Sequence, residues 1–318
     1  MKKTIAVWAV ALATATALSA CSSSAPSTTT SAPAATSSSG AFTAPADNAL
    51  GGKNKPVKIG IMGPEIQYDY LKSTAEAEGL FISYTSFSDY NQPNPAVANG
   101  ELDLNQFQHV LFLATYNVQS NQPLVALQST CIYPLGLYSK QYKKVADIPA
   151  GAVIAIPNDD TNQARALTLL AGQGLLTLKS GTDPVFATPL DVDAAASRVK
   201  PVPVSAEQTP RSLDDPGTAG AVINNTFALN ANLNPTDALV QDDPSSPVAA
   251  PYVNIWAGRA GADSDPAIAE VLRIARTKEY QDGLLEQSKG SAVITDQRAA
   301  ELATALAATE AQVRAHQG

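Results

Sequence analysis

The sequence predicts an α/β protein of two lobes, and three observations carry that expectation. Strand-like and helix-like segments alternate through the body, the pattern of sheets covered by helices. About 260 residues follow the N-terminal segments, enough for two lobes of roughly 100–150 residues each. Nothing repeats at a period of roughly 20–50 residues, which excludes a solenoid. Composition narrows the chemistry further. The chain has 318 residues and a formal net charge of −8, with no block of like charge. That argues against a nucleic-acid partner, whose binder needs a basic surface to displace counterions from phosphates. Two cysteines and two histidines leave little for a disulfide framework or a zinc centre, so no metal is expected. No Gly-rich phosphate loop follows any strand, so no nucleotide cofactor is expected. A Gly-x-Ser-x-Gly elbow is missing too.

The elements can be taken in order. Lys2 and Lys3 precede an apolar run from Ile5 to Leu18, and the small residues Ser19 and Ala20 come just before Cys21. This is the layout of a secretory signal peptide, residues 1–20. The run is too short and too rich in Ala and Thr for a membrane span. Leu18-Ser19-Ala20-Cys21 resembles the lipobox of bacterial lipoproteins, where the cysteine is acylated (palmitate among its acyl groups) and becomes the mature N-terminus. An ordinary secretion signal followed by a cysteine is the alternative. Ser22 to Ala46 holds no charged residue and too little apolar surface to offset its ordering entropy. Residues 21–56 therefore read as a lipidated cysteine on a disordered tether. Loss of Lys2 and Lys3 would take the charge from −8 to −10. Cys131 is then the remaining thiol, in the usual case a buried small hydrophobe.

Val57–Ile61 reads as a strand, and Gly63-Pro64 opens a helix over Glu65–Glu78 with proline in its first turn. Phe81–Phe87 completes a βαβ unit. Ala152–Ile156 is a strand, followed by a helix over Asn162–Ala171 that holds Arg165 in its first turn. Val199–Val204 is an edge strand broken by prolines, with a short helix near Gln208–Leu213. Ala219–Ile223 and Val253–Ala257 are further strands, the first followed by a helix through Phe227 and Leu229. Pro266–Glu286 reads as one long helix. Alternation of this kind predicts largely parallel sheets.

In such sheets ligands sit beyond the carboxyl ends of the strands. Arg165 follows one strand end, where a cation opposes the helix dipole but could hold a ligand carboxylate in its fork. A solvated arginine, or one paired with Asp159 or Asp160, fits as well. Asn224 follows another strand and Asn254 lies within one. Each could offer a carbonyl oxygen to an ammonium, or serve as a turn residue or helix cap. Tyr90, Phe107, His109, Phe112 and Tyr133 cluster in a chain poor in aromatics. They could cage an apolar or thioether group, or simply pack a core.

Ordered blocks along the chain resemble the bacterial methionine-binding lipoproteins of the NlpA/MetQ type, the substrate-binding components of methionine ABC importers. They run from Lys58-Ile59-Gly60-Ile61-Met62 through Phe87-Ser88-Asp89-Tyr90, Gly100-Glu101-Leu102-Asp103 and Asn105-Gln106-Phe107-Gln108-His109. Tyr133-Pro134, Ile156-Pro157-Asn158-Asp159 with Thr161-Asn162 and Arg165, and Gln208-Thr209-Pro210-Arg211 follow. Ala221-Val222-Ile223-Asn224 and Tyr252-Val253-Asn254 complete the series. The resemblance implies a two-lobed periplasmic-binding-protein-like fold of type II style, with a hinge and an interlobe ligand cleft. Lobe 1 would comprise 57–137 plus 253–294 and lobe 2 138–252, with crossings near Tyr133–Tyr138 and Pro247–Asn254. It implies Arg165 on a ligand carboxylate, Asn224 and Asn254 as polar ligand contacts, and Phe107, His109, Tyr90, Phe112 and Tyr133 around its side chain. The function implied is capture of methionine, L- with D- as an extension, and delivery to the permease and ATPase of an ABC importer. The protein would be a monomer, not an enzyme, anchored by Cys21 on the outer face of the cytoplasmic membrane. The long tether favours a Gram-positive surface over a periplasm. Another apolar amino acid or a methionine-containing dipeptide is the alternative ligand; an exported hydrolase and a structural surface lipoprotein are the alternative classes. Three features depart from the family. Phe112 replaces a tyrosine three residues after the histidine. Cys131 stands where an aromatic is expected near the hinge, which would loosen the pocket wall. Residues 295–318 add a helix with Leu302, Leu306 and Val313 on one face.

Overall fold

A computed structural model describes residues 42–317. The signal segment, Cys21 and residues 22–41 lie outside the described residues. Residues 42–56, assigned above to the tether, are folded against the body. Phe42 and Leu50 pack on a buried cluster, and the Phe81 amide donates to the Gly51 carbonyl at 2.8 Å. Gly51 has φ +81°, and a Cβ there would lie 2.8 Å from that of Ala267. Two large apolar side chains and a glycine turn give this stretch the anchors that the Ser/Thr/Ala run before it lacks.

β1 (Val57–Ile61), α1 (Ile66–Ala77) and β2 (Ile82–Ser86) form the expected βαβ unit, with β1 and β2 parallel. Gly63, at φ +119°, makes the turn off β1 early, so Pro64 precedes the N-cap Glu65 instead of lying in the first helical turn. Then come α2 (Pro93–Ala98), β3 (Leu104–His109), α3 (Val110–Ser120), β4 (Val125–Ser129) and the short β5 (Cys131–Ile132). β3 carries buried Asn105, Gln106 and Gln108, an unusual load for a strand. Asn94 of α2 shares hydrogen bonds with Gln108 at 2.6 and 2.8 Å and with Asn105 at 2.9 Å. Asn105 and Gln108 are satisfied in this way, and Gln106 Oε1 accepts the Tyr68 hydroxyl, which makes their burial affordable.

The chain then crosses to a second sheet. β6 (Gly136–Tyr138), β7 (Ala152–Pro157), α4 (Asp160–Gly172), β8 (Val199–Val204), β9 (Thr218–Ile223), α5 (Asn225–Asn230) and β10 (Val240–Gln241) belong there. It returns as β11 (Asn254–Gly258), followed by α6 (Pro266–Ile274), α7 (Lys278–Gln287), β12 (Val293–Ile294) and α8 (Ala299–Gln317). The strand orders are β2-β1-β3-β11-β4 in the first sheet and β10-β6-β9-β7-β8 in the second, with β12 and β5 as a separate pair. β8 does lie at an edge.

Two expectations need correction. The sheets are mixed, because β11 runs antiparallel to β3 and β4 and β6 antiparallel to β9. Each of these is the first strand after a crossing, so it enters its sheet from the end where the parallel strands finish. The long helix over Pro266–Glu286 is two helices. Thr277 breaks it, accepting from the Tyr280 amide at the start of α7 while its hydroxyl donates to the Ile274 carbonyl at 2.8 Å.

Both faces of the first sheet are covered: one by Leu71, Ile268, Val271 and Tyr280 over Ile59 and Trp256, the other by Leu111, Leu302 and Leu306 over Ile255. The second lobe packs Ile154, Ile156 and Val222 against Leu167 and Leu170. A fourth cluster spans the lobes, joining Met62, Tyr90 and Phe107 to Tyr138, Ile223 and Phe227. The lobes are therefore in contact, with the finishing ends of their parallel strands facing one another.

Candidate functional site

That junction holds a cleft, and all eight residues singled out from the sequence line it: Tyr90, Phe107, His109, Phe112, Tyr133, Arg165, Asn224 and Asn254. The topology explains the convergence. β3 ends at His109, β7 leads into α4 and Arg165, β9 leads into Asn224, and β11 starts at Asn254, paired in register with His109.

His109 caps α3. Its Nδ1 accepts the Phe112 amide at 3.1 Å, which places the ring proton on Nε2. That nitrogen is buried and has no partner among the described residues. Burial, and then the charge of Arg165, push the imidazole down to about 3, so it is a neutral N–H donor. The rings form a wall: Phe107 and Phe112 meet edge-on at 5.7 Å, and Tyr90 stands 5.9 Å from Phe107 and 4.9 Å from Phe227 across the junction.

Arg165 is buried, and it lies in the second turn of α4, not the first, because the helix begins at Asp160. Asp159 is the N-cap, accepting the Asn162 amide at 3.0 Å. The partner of Arg165 is neither Asp159 nor Asp160. Its Nε and Nη2 donate to Asp242 at 2.6 and 3.1 Å, and Nη2 also donates to the Tyr133 carbonyl at 2.9 Å. The guanidinium lies 4.2 Å over the Tyr252 ring, a cation–π arrangement. Nη1 has no hydrogen bond among the described residues. Asp242 in turn accepts the Leu135 amide at 2.8 Å, so the Arg165–Asp242 pair stitches the two crossings together.

Asn224 occupies the N-cap position of α5 without capping it. Its amide nitrogen donates instead to Asn162 Oδ1 at 2.9 Å, leaving Oδ1 buried and without a partner among the described residues; the same holds for Asn225 Oδ1. Asn254 donates to the Tyr252 carbonyl at 3.3 Å. Cys131 does not line the cavity. It is fully buried in the lobe 1 core, on which the lining residue Tyr133 packs, and burial pushes its thiol up to about 12. Sequence reasoning missed Asp242, Tyr252 and Asn162 as contributors. An acidic residue after a two-residue strand has no spacing signature, whereas Asn162 lay in the strand-end block that pointed to Arg165.

Lobe 1 supplies rings and a neutral donor; lobe 2 supplies a guanidinium and amide oxygens. Such a cavity suits a small molecule with a charged polar end and an apolar end. The fold, with its two crossings and interlobe cavity, is that of the periplasmic-binding-protein class. Within that class the chain belongs to the NlpA lipoprotein family, whose model matches residues 57–295. It is similar to the D-methionine-binding lipoprotein MetQ of Yersinia pestis, 35% identical over 241 residues, 74% of this chain and 87% of that one. It is also similar to the structure of a nutrient binding protein from Burkholderia cenocepacia bound to methionine. There the TM-score is 0.69 and the identity 36%, covering 75% of this chain and 99% of that one. The substrate binding protein of a methionine transporter from Streptococcus pneumoniae gives a TM-score of 0.70 at 34% identity, covering 76% and 95%.

Proposed function

We propose that this protein is a lipid-anchored solute-binding protein that captures methionine and hands it to an ABC importer. The observation that carries the reading is the set of groups left without partners around one cavity. The His109 Nε2–H is a buried donor, Asn224 Oδ1 and Asn225 Oδ1 are buried acceptors, and Arg165 keeps Nη1 open beside them. Buried polar groups are hydrogen-bonded in nearly every native protein, so this set points to an absent partner that both accepts and donates. A free amino acid does both. Its carboxylate takes Arg165 Nη1 and His109 Nε2–H; its ammonium donates to Asn224 and Asn254. The side chain then lies among Tyr90, Phe107, Phe112 and Tyr133, where a thioether makes favourable sulfur–aromatic contacts. Asp242 already neutralises Arg165, so the site is balanced for a zwitterion and not for a net anion.

Binding breaks no bond. The two crossings act as a hinge, and the cleft closes over the ligand. Cys21 carries the anchor, on the outer face of the cytoplasmic membrane, and the permease and ATPase of the importer receive the cargo. The relative from Yersinia pestis named for D-methionine and the methionine-bound relative from Burkholderia support the choice of ligand. Native mass spectrometry of the protein purified without added amino acids tests it: an adduct of methionine's mass is the expected result. A dipeptide mass would revise the ligand. No adduct, together with no thermal shift from any amino acid or dipeptide at 100 times a micromolar dissociation constant, where about 2.7 kcal/mol is expected, would refute the reading.

A further inference from the structure

α8 lies wholly beyond residue 295, where the family match ends, and its sequence explains how it is held. Leu302, Leu306, Thr309 and Val313 are buried, spaced as one stripe along the helix. Leu302, Leu306 and Val313 join the lobe 1 core beside Leu111, Ala114 and Leu124, and Asn117 of α3 donates to Glu310 at 2.8 Å. The approach to the helix is tied to the same lobe. The Gln297 amide donates to Ser129 Oγ at 2.7 Å, and the Thr295 amide to the Thr130 carbonyl at 3.0 Å.

The next residue on that stripe is His316, which is exposed. It stacks on Phe186, with ring centroids 4.5 Å apart and planes 15° from parallel. Phe186 belongs to the segment between α4 and β8 in lobe 2. That segment is fastened to α4 by the Thr168 hydroxyl, which donates to the Pro184 carbonyl at 2.9 Å, one turn beyond Arg165. A polar contact between the lobes lies nearby: Gln119 at the end of α3 donates to Asp160, the first residue of α4, at 3.2 Å. The His316–Phe186 contact borders a cavity that also touches Thr115, Asp160 and Thr161. Those three residues also line a space that reaches Tyr90 and Phe112 of the ligand cleft. The tip of α8 thus spans the lobes at the outer margin of the cleft, away from the two crossings.

We propose that α8 is an interlobe latch. Its first four turns are seated on lobe 1, and its last turn engages the Phe186 segment of lobe 2 only while the cleft is shut. Parting the lobes about the crossings separates His316 from Phe186, so the stack stabilises the closed form and slows ligand release.

The test uses the full chain with His316→Ala, His316→Phe, Phe186→Ala and the double alanine variant, none of which removes the buried stripe of α8. Two readouts are taken: methionine dissociation by stopped flow, and hydrogen exchange of ligand-free protein at residues 183–188 and 90–92. The first rests on the methionine reading and the second does not. His316→Ala and Phe186→Ala should each speed dissociation by about 2- to 10-fold, the size of one aromatic pair. The double variant should add little further, as for two halves of one contact, and His316→Phe should restore the wild-type rate. Exchange should rise on both sides of the cleft in the alanine variants. Unchanged dissociation and exchange in both single alanine variants would overturn the latch, as would additive effects in the double variant. If the wild-type chain bound no methionine while His316→Ala still raised exchange across the cleft, the ligand assignment would fall and the latch would stand.

Discussion

The two walls of the cleft are built on opposite principles. Lobe 1 presents Phe107, Phe112 and Tyr90 beside a histidine that burial keeps neutral. Lobe 2 presents Arg165 and the amides of Asn162, Asn224 and Asn225. In the proposed reading, Arg165 and Asn224 of lobe 2 with His109 and Asn254 of lobe 1 hold what amino acids share, while the lobe 1 rings read what distinguishes one from another. A ligand satisfies both walls only when they meet around it, which couples recognition to closure. Arg165 also differs from a simple solvent-facing receptor. Its fork is committed to Asp242 and the Tyr133 carbonyl, so its orientation is fixed before ligand arrives.

The sharpest way to break this division is Arg165→Ala. Removing one member of a buried, hydrogen-bonded charge pair should weaken methionine binding by about 2–5 kcal/mol in calorimetry, and retained affinity would strip lobe 2 of its proposed role. Asp242→Asn separates charge balance from direct contact. It leaves a buried guanidinium without its counterion, which costs about 3–5 kcal/mol at full burial. Because a quarter of the Asp242 side chain is exposed, about 1–3 kcal/mol of stability is expected to be lost, read as a lower thermal midpoint. Affinity should fall with it.

His109 supplies a pH test of the lobe 1 wall. Its folded-state pKa is depressed to about 3, below the ordinary value near 6.5. The unfolded chain therefore binds the extra proton first as pH falls, and the group's stability contribution is present above pH 6.5 and is lost towards pH 3. Between pH 6.5 and 5 the loss is about 2 kcal/mol at 1.36 kcal/mol per unit. Chemical denaturation of wild type and His109→Gln at both pH values should show a flatter dependence in the variant; parallel slopes would place the imidazole in water. Asn224→Ala should cost about 1.5–2 kcal/mol of affinity, as one hydrogen bond to a charged group. Smallest is Phe112→Tyr, which restores the hydroxyl common in the family. Less than about 1 kcal/mol of change in binding is expected, because ring contacts dominate that wall.

The site was legible in the sequence where geometry and residue type agreed. Arg165, Asn224 and Asn254 stand at the ends of strands that β-branched and small residues made recognisable. β3 was hidden because it buries three amides, two satisfied through Asn94 and the third by the Tyr68 hydroxyl, and no propensity rule anticipates a partner on another element. The same limit hid Asp242, whose role depends on a contact with Arg165, 77 residues away in sequence. The break between α6 and α7 escaped because one threonine in a helical pattern is tolerable until its hydroxyl caps the next helix. The folding of residues 42–56 escaped because composition judged the segment as a whole, whereas Phe42 and Leu50 act singly.

The position of β11 also has a consequence for how the chain is made. It is one of the last strands in sequence, yet it lies between β3 and β4 in the first sheet, so β4 has no strand to join until residue 258 has been synthesised. The second sheet draws only on residues 136–241 and can close earlier. In a chain growing from its N-terminus, every strand of the second sheet is therefore made before the first sheet has its full set.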